Sequence, residues 1–158
     1  MNIRIDTREH LNSYKRIDKQ MSSIDGVTTY RRKLDIGDYA CDEYPYIVIE
    51  RKSSLFEVSQ NVTRGHRQFR EEFQYARALD LKVVLLIEES LQFQSLEDVK
   101  FWVNPRPDLS VVSGPQLLKS LKIIESRYKV GIRFCEKDET GLVIYRIFKE
   151  ALINGKKS

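Results

Sequence analysis

The chain has few side chains that could form disulfides or bind zinc. It contains two cysteines, Cys41 and Cys135, and two histidines among 158 residues. The cysteines lie far apart and no Cys-x-x-Cys spacing occurs, which argues against a disulfide scaffold and against a structural zinc site. No thiolate or imidazole ligand set can be assembled from so few residues.

The chain also lacks a long apolar run and a signal peptide. Its longest aliphatic stretch is Val83–Ile87, whereas a helix that spans a bilayer requires about 20 residues. The first residues, Ile3-Arg4-Ile5-Asp6, alternate between apolar and charged, a pattern that differs from a signal peptide. We therefore expect a soluble protein of a reducing compartment, in the cytoplasm.

Glycine and proline are scarce, with 7 and 4 residues, while hydrophobic residues make up 41% and charged residues 32%. This balance excludes a collagenous, low-complexity or disordered chain. The length fits one domain, which we place at residues 1–153, followed by a short polar tail at 154–158. A net charge of +4 is compatible with a polyanionic partner but is too small to identify one.

Strand and helix patterns alternate along the sequence. Extended segments are predicted at Ile3–Ile5, Val27–Leu34, Tyr46–Glu50, Lys82–Glu88 and Ile132–Cys135. Helices are predicted at 10–23, 63–79, 114–130 and 138–152. Residues 35–39 are predicted to form a tight bend at Gly37. Strands interleaved with helices indicate an α/β domain with a central mixed β-sheet flanked by helices.

Charged residues end one of the most apolar predicted strands. Along Ile49-Glu50-Arg51-Lys52, Glu50 and Lys52 share one face about 6.6 Å apart, while Arg51 projects from the other. Asp38 precedes this strand and can supply a second carboxylate. Oxygen ligands of this kind suit Mg²⁺ or Mn²⁺, an ion that polarises a phosphodiester and lowers the pKa of bound water. The alternative is that these charges are a solvated strand end, which is the commoner reason for such a run.

Three motifs in order resemble the nuclease domain of XPF-type structure-specific endonucleases, which belong to the restriction-endonuclease-like superfamily. They are Asp6-Thr7-Arg8-Glu9, Gly37-Asp38-Tyr39 and Glu50-Arg51-Lys52-Ser53. The resemblance continues through an Arg-x-x-x-Gln motif, Arg64 and Gln68, and covers nearly the whole chain. It implies a restriction-endonuclease-like fold in a free-standing prokaryotic or phage domain, located at the nucleoid.

The same resemblance implies roles for individual residues. Asp38 and Glu50 would bind the divalent metal, Mg²⁺ or Mn²⁺. Arg51 and Lys52 would also be required for catalysis, supported by Asp6, Arg8 and Glu9. The family commonly places an aspartate a few residues after this motif; the chain has none there, and Glu57 is a candidate substitute.

Basic residues follow the third motif. Arg64, Arg67 and Arg70 could grip phosphates near the metal, with Gln68 beside them. Alternatively, Glu71 and Glu72, which follow directly, could pair with these arginines on a solvated surface.

The predicted terminal helix is apolar around most of its circumference, so it must be covered on more than one side. XPF-type domains dimerise through their terminal helices, and we expect a homodimer here. The alternative is an internal helix of a small α/β core.

We therefore expect a metal-dependent endonuclease that cuts branched DNA, such as flaps, forks or four-way junctions, in repair or recombination. Two other hypotheses stay open. The chain could be a catalytically inactive DNA-binding or scaffolding subunit, although inactive relatives generally lose one of Asp38, Glu50 and Lys52. It could also be a sequence-specific restriction-type nuclease, which uses the same metal chemistry on linear duplex.

Overall fold

A six-stranded mixed sheet forms the centre of the molecule in a computed structural model that describes residues 1–109 and 111–155. The strands are β1 (Asn2–Ile5), β2 (Thr28–Arg31), β3 (Tyr39–Cys41), β4 (Tyr44–Lys52), β5 (Lys82–Glu88) and β6 (Gly131–Cys135). Their order across the sheet is β2-β1-β3-β4-β5-β6. The pairs β1–β2, β4–β5 and β5–β6 are parallel, and β3 is antiparallel to both of its neighbours.

Within the described residues, five α-helices cover the two faces of this sheet. They are α1 (Leu11–Ser22), α2 (Leu55–Thr63), α3 (His66–Ala78), α4 (Gly114–Tyr128) and α5 (Thr140–Gly155), joined by short 3₁₀ helices at Leu96–Phe101 and Lys137–Glu139. None of the helices in the described ranges has the length and apolar character needed to cross a bilayer. The last three residues of the predicted polar tail, 156–158, lie outside the described part of the chain.

Each face of the sheet has its own apolar core. On one face, Val48 and Leu85 pack with Phe69, Phe73 and other residues of α2, α3 and α4. On the other face, the core includes the following buried residues from the strands and from α1 and α5: Ile5, Ile17, Ile49, Leu86, Ile144 and Phe148. Because Val48 and Ile49 point to opposite sides, β4 is buried on both faces, as its continuous apolar sequence predicts.

One strand and one α-helix of the described residues were not predicted from the sequence. Residues 39–41 form β3 rather than the end of a bend, because their backbone pairs with both β1 and β4. Residues 55–63 form α2, a helix that was not predicted; it begins after Ser54, whose hydroxyl accepts a hydrogen bond from the Glu57 N–H at 3.1 Å. The predicted helix at 63–79 is consequently shorter and begins at His66.

Candidate active site

A close approach between Gly37 and β4 positions Asp38. Gly37 has a φ of +73°, and a Cβ at this position would lie 3.1 Å from the Ile49 carbonyl oxygen, so the turn favours glycine. The Asp38 N–H then donates to that carbonyl at 2.8 Å. In return, the Arg51 N–H donates to Asp38 Oδ2 at 2.8 Å. Asp38 is thereby fixed beside the end of β4.

Glu50 and Lys52 lie on the face of β4 that is covered by α2 and α3. The Lys52 ammonium donates to Glu50 Oε1 at 2.9 Å and lies 5.4 Å from the centre of the Phe69 ring. Lys52 is buried, with 8% of its surface exposed. Burial disfavours the charged ammonium. The negative charge of Glu50 and its hydrogen bond nevertheless favour that form, and the Lys52 pKa is raised. A positive charge is thus held next to the carboxylate.

These side chains share one cavity of about 280 Å³ at the end of β4. It is lined by residues from the β1 end, the Gly37 turn, β4 and the α2–α3 region: Arg8, Gly37, Asp38, Glu50, Lys52, Asn61, Gly65, Gln68, Phe69 and Glu72. Four of the predicted catalytic residues therefore line one space: Arg8, Asp38, Glu50 and Lys52.

The carboxylates around this cavity repel one another. Burial, together with the negative charges of Glu50 and Glu9, raises the pKa of Asp38 well above its usual range. Burial and the charge of Glu50 likewise raise the pKa of Glu72. Neighbouring carboxylates that disfavour each other's ionisation are stabilised by a cation between them.

Arg51 and Glu9 lie on the opposite face of the sheet from this cavity. The Arg51 guanidinium donates to both Glu9 oxygens, at 3.0 and 2.8 Å, and lies 3.3 Å from Glu88 Oε2. Although burial disfavours the Glu9 carboxylate, these bonds and one from the Tyr39 hydroxyl lower the Glu9 pKa. The predicted alternation along β4 thus places Arg51, together with its partner Glu9, on the face opposite Glu50 and Lys52.

Asp6 is a buried anchor for Arg8. Its carboxylate accepts two hydrogen bonds from the Arg8 guanidinium, at 2.8 and 3.0 Å, and one from the Leu34 N–H at 2.6 Å. Asp6 is 1% exposed and does not line the cavity, whereas Arg8 does. From the first motif, only the arginine reaches the shared space.

Comparison with known proteins identifies the family. The model of the ERCC4 domain matches residues 5–147. The chain belongs to the ERCC4 domain family. Members of this family are nucleases that act on DNA, typically with a divalent metal. The predicted relationship to XPF-type nuclease domains is thereby confirmed.

Solved structures support the same fold. The ERCC4 domain superposes on XPF from Aeropyrum pernix with a TM-score of 0.65 and 16% identity, over 99% of this chain and 69% of that one. XPF from Aeropyrum pernix in complex with DNA gives a TM-score of 0.65 and 18% identity, over 99% of this chain and 64% of that one. A search of curated proteins gave no match. The predicted restriction-endonuclease-like fold, with a mixed sheet flanked by helices, is confirmed.

The cavity of this ERCC4 domain fits a hydrated divalent cation better than a closed metal cage. In the described ranges, no three Asp, Glu, His or Cys side chains are grouped as a complete ligand set. Mg²⁺ commonly binds through one or two carboxylates and keeps several waters. Asp38 and Glu50 supply two such carboxylates, and their mutual repulsion would be relieved by the ion.

The predicted DNA-binding residues lie at the end of α2 and on α3. Gln68 lines the cavity itself. Arg64 is exposed at the end of α2, and Arg70 lines a neighbouring cleft between α3 and α4. Arg67 is exposed and pairs with Glu71 at 2.8 Å, a contact that the solvated-surface alternative also predicts.

Two polar residues that were not predicted at the site also line the cavity: Asn61, and Glu72, which was expected only as a possible partner of the nearby arginines. Asn61 lies on α2, which was not predicted. Glu72 follows Gln68 by four residues, one helical turn, so the spacing could have placed it on the face of Gln68. Glu57, the candidate substitute for the missing aspartate, accepts hydrogen bonds from the Ser53 N–H and hydroxyl, both at 2.7 Å. It lies in the first turn of α2 and does not line the cavity.

Proposed function

We propose that this ERCC4 domain is a Mg²⁺- or Mn²⁺-dependent endonuclease that hydrolyses phosphodiester bonds in branched DNA, in repair or recombination. The observation that supports it is the convergence of Asp38, Glu50 and Lys52 on one cavity, in a chain of a DNA nuclease family. The branched substrate comes from the resemblance to XPF-type enzymes. A DNA substrate also favours a location at the nucleoid, in the cytoplasm.

Each residue of the cavity has a role in this proposal. Asp38 and Glu50 would hold the cation, which when bound polarises the phosphodiester and supplies a hydroxide-like water. The Lys52 ammonium, held against Glu50 at 2.9 Å, offsets negative charge that develops on the phosphate. Arg8, which is anchored by Asp6 and lines the cavity, is placed to contact the incoming DNA backbone.

Arg51, Glu9 and Asp6 act in this proposal as positioning residues. The Arg51 side chain is bound by Glu9 and lies beside Glu88, while its backbone N–H holds Asp38. Asp6 orients Arg8 in the same indirect way. DNA phosphates would be contacted by the predicted DNA-binding residues, Arg64, Arg67, Gln68 and Arg70, so we propose that DNA binding weakens as salt rises.

Cleavage of labelled DNA tests the proposal directly. Flap, fork, four-way junction, single-stranded and duplex substrates are each incubated with Mg²⁺ or Mn²⁺, using the unaltered protein and Glu50→Gln. We expect cutting of branched DNA only with metal, and a loss of at least about 100-fold in Glu50→Gln, or about 2.7 kcal/mol of transition-state stabilisation. Binding should persist because the basic surface is unchanged.

Glu125→Gln is the matched control, since Glu125 is an exposed glutamate on α4 that does not line the cavity. Binding of branched DNA without any metal-dependent cutting would favour the inactive-subunit hypothesis. Cutting of linear duplex at one fixed sequence would favour a restriction-type nuclease. Equal activity in Glu50→Gln would reject the proposed metal site.

The homodimer through α5 stays a prediction. Much of the apolar surface on which it depends is covered within the chain, because Ile144, Ile147 and Phe148 are buried in the core shared with α1. At the end of α5, Ile153 is 49% exposed. An α5 contact between two copies would therefore centre on this end of the helix.

A further inference from the structure

Two adjacent glutamates on α3 have different environments. Glu71 points to solvent, where its Oε1 accepts from Arg67 Nε at 2.8 Å and more than half of the side chain is exposed. Glu72 is half-buried and lines the cavity together with Asp38 and Glu50. The helical twist separates consecutive side chains by about 100°, which turns one glutamate out and the next one in.

A second helix brings an unsatisfied acceptor to the same cavity. Asn61 Oδ1 is buried and has no hydrogen-bond partner among the described residues, although Asn61 lines the cavity. A buried carbonyl oxygen without a donor is unusual in proteins and is commonly satisfied by a water or an ion. Amide oxygens are also suitable partners for hydrated hard cations.

The charges around the cavity leave an excess that matches a divalent cation. Asp38, Glu50 and Glu72 provide three carboxylates, and Lys52 provides one ammonium. The Arg8 charge is already matched by Asp6, to which its guanidinium donates twice. With all three carboxylates ionised, the cavity therefore carries two uncompensated negative charges, and Glu72 supplies one of them.

We propose that Glu72 is a positioning residue for the hydrated cation, accepting hydrogen bonds from the waters of the ion that Asp38 and Glu50 bind. This inference rests on the proposed function. No complete set of three direct ligands exists in the described part of the chain, so Glu72 acts on coordinated water, which Mg²⁺ retains. Asn61 Oδ1 accepts from the same hydration shell. Partners of this outer kind commonly alter metal affinity 10- to 100-fold.

Mn²⁺ is titrated into the metal-free protein without DNA, and the binding affinity is measured by isothermal titration calorimetry. Glu72→Gln is nearly isosteric, and we expect about a tenfold weaker affinity. Glu71→Gln removes the same charge from the neighbouring position and should bind Mn²⁺ like the unaltered protein. Glu72→Asp retains the charge and should recover part of the affinity. Thermal unfolding of each metal-free variant shows whether the fold is intact.

A cleavage assay gives a second readout. For Glu72→Gln, the Mg²⁺ concentration at half-maximal rate should rise about tenfold, while the rate at saturating Mg²⁺ stays close to that of the unaltered protein. A purely structural role would not produce this pattern in a variant that unfolds at the normal temperature.

The outcomes separate this inference from the proposed function. If the unaltered protein binds no Mn²⁺, or if Glu50→Gln binds it equally well, the proposed metal site itself fails. If Glu50→Gln loses binding while Glu72→Gln retains full affinity, only the role of Glu72 is overturned. An equal loss of Mn²⁺ affinity in Glu71→Gln and Glu72→Gln would also overturn the role of Glu72. The removal of one negative charge from α3 would then explain both losses.

Discussion

Asp38 is the residue at which function and stability oppose each other. Its carboxylate is held beside Glu50 by the Gly37 turn and the Arg51 N–H, in a partly buried position. Burial and the charge of Glu50 disfavour its ionised form, which explains why the pKa of Asp38 is raised. Active sites often retain such unfavourable charges because the bound cation requires them.

We therefore expect Asp38→Asn to stabilise the metal-free protein while abolishing cleavage. Above the ordinary aspartate pKa of 3.8, the unfolded chain loses its proton before the folded one, so stability falls as pH rises towards the raised pKa. The gain from Asp38→Asn should consequently be larger at pH 8 than at pH 5. At pH 8 a gain of roughly 1 kcal/mol would raise the Tm by about 2–4 °C.

Arg51→Met should lower the free energy of unfolding, whereas Asp38→Asn should raise it. Removal of the guanidinium leaves Glu9 and Glu88 as buried carboxylates without their arginine, and breaking a buried pair costs about 3–5 kcal/mol. Urea unfolding at the two pH values measures both variants. A destabilised Asp38→Asn, or an Arg51→Met as stable as the unaltered protein, would contradict this description of the site.

At the scale of elements, β4 places the side chains of Glu50-Arg51-Lys52 on two opposite faces of the sheet. Glu50 and Lys52 face α2 and α3, and Arg51 faces the core that includes α1 and α5. This alternation could be predicted from the sequence, because it follows from the two-residue period of any strand. The partners of Arg51 could not, since Glu9 and Glu88 are distant in sequence and meet only through the sheet order.

The two elements that were not predicted, β3 and α2, depend on tertiary contacts. β3 has three residues, all buried, and is stabilised by pairing on both sides rather than by a long alternating pattern. In α2, Leu55 and Val58 are buried at helical spacing, but the segment has only nine residues beside a charged motif. Short elements carry weak periodic signals, so packing determines them.

The molecular mass of the protein in solution tests the predicted contact between two α5 helices. If two copies associate through the end of this helix, sedimentation velocity at micromolar concentration should give about twice 18.6 kDa. Ile153→Asp places a charge on the exposed isoleucine and should return the chain to a monomer. A monomer without the substitution would reject the homodimer, and a dimer unaffected by it would locate the contact elsewhere.

For the whole molecule, the fold could be predicted more completely than the set of residues that lines the cavity. Glu50 and Lys52 are two residues apart, and Asp38 belongs to a recognisable motif, so local sequence indicated a common site. Glu72 and Asn61 reach the cavity from separate helices, and only the packing of α2 and α3 on the sheet reveals them. The parallel strands β4, β5 and β6 end at one edge, the usual location of sites in α/β sheets.

The proposed metal site requires that Asp38 and Glu50 together bind a divalent cation. This binding can be observed by anomalous diffraction from crystals soaked in Mn²⁺, with Glu50→Gln crystals as the control. We predict an anomalous peak between the carboxylates of Asp38 and Glu50 that disappears in the variant. A saturating soak that gives no peak there, or a peak that persists unchanged in Glu50→Gln, would reject this metal site.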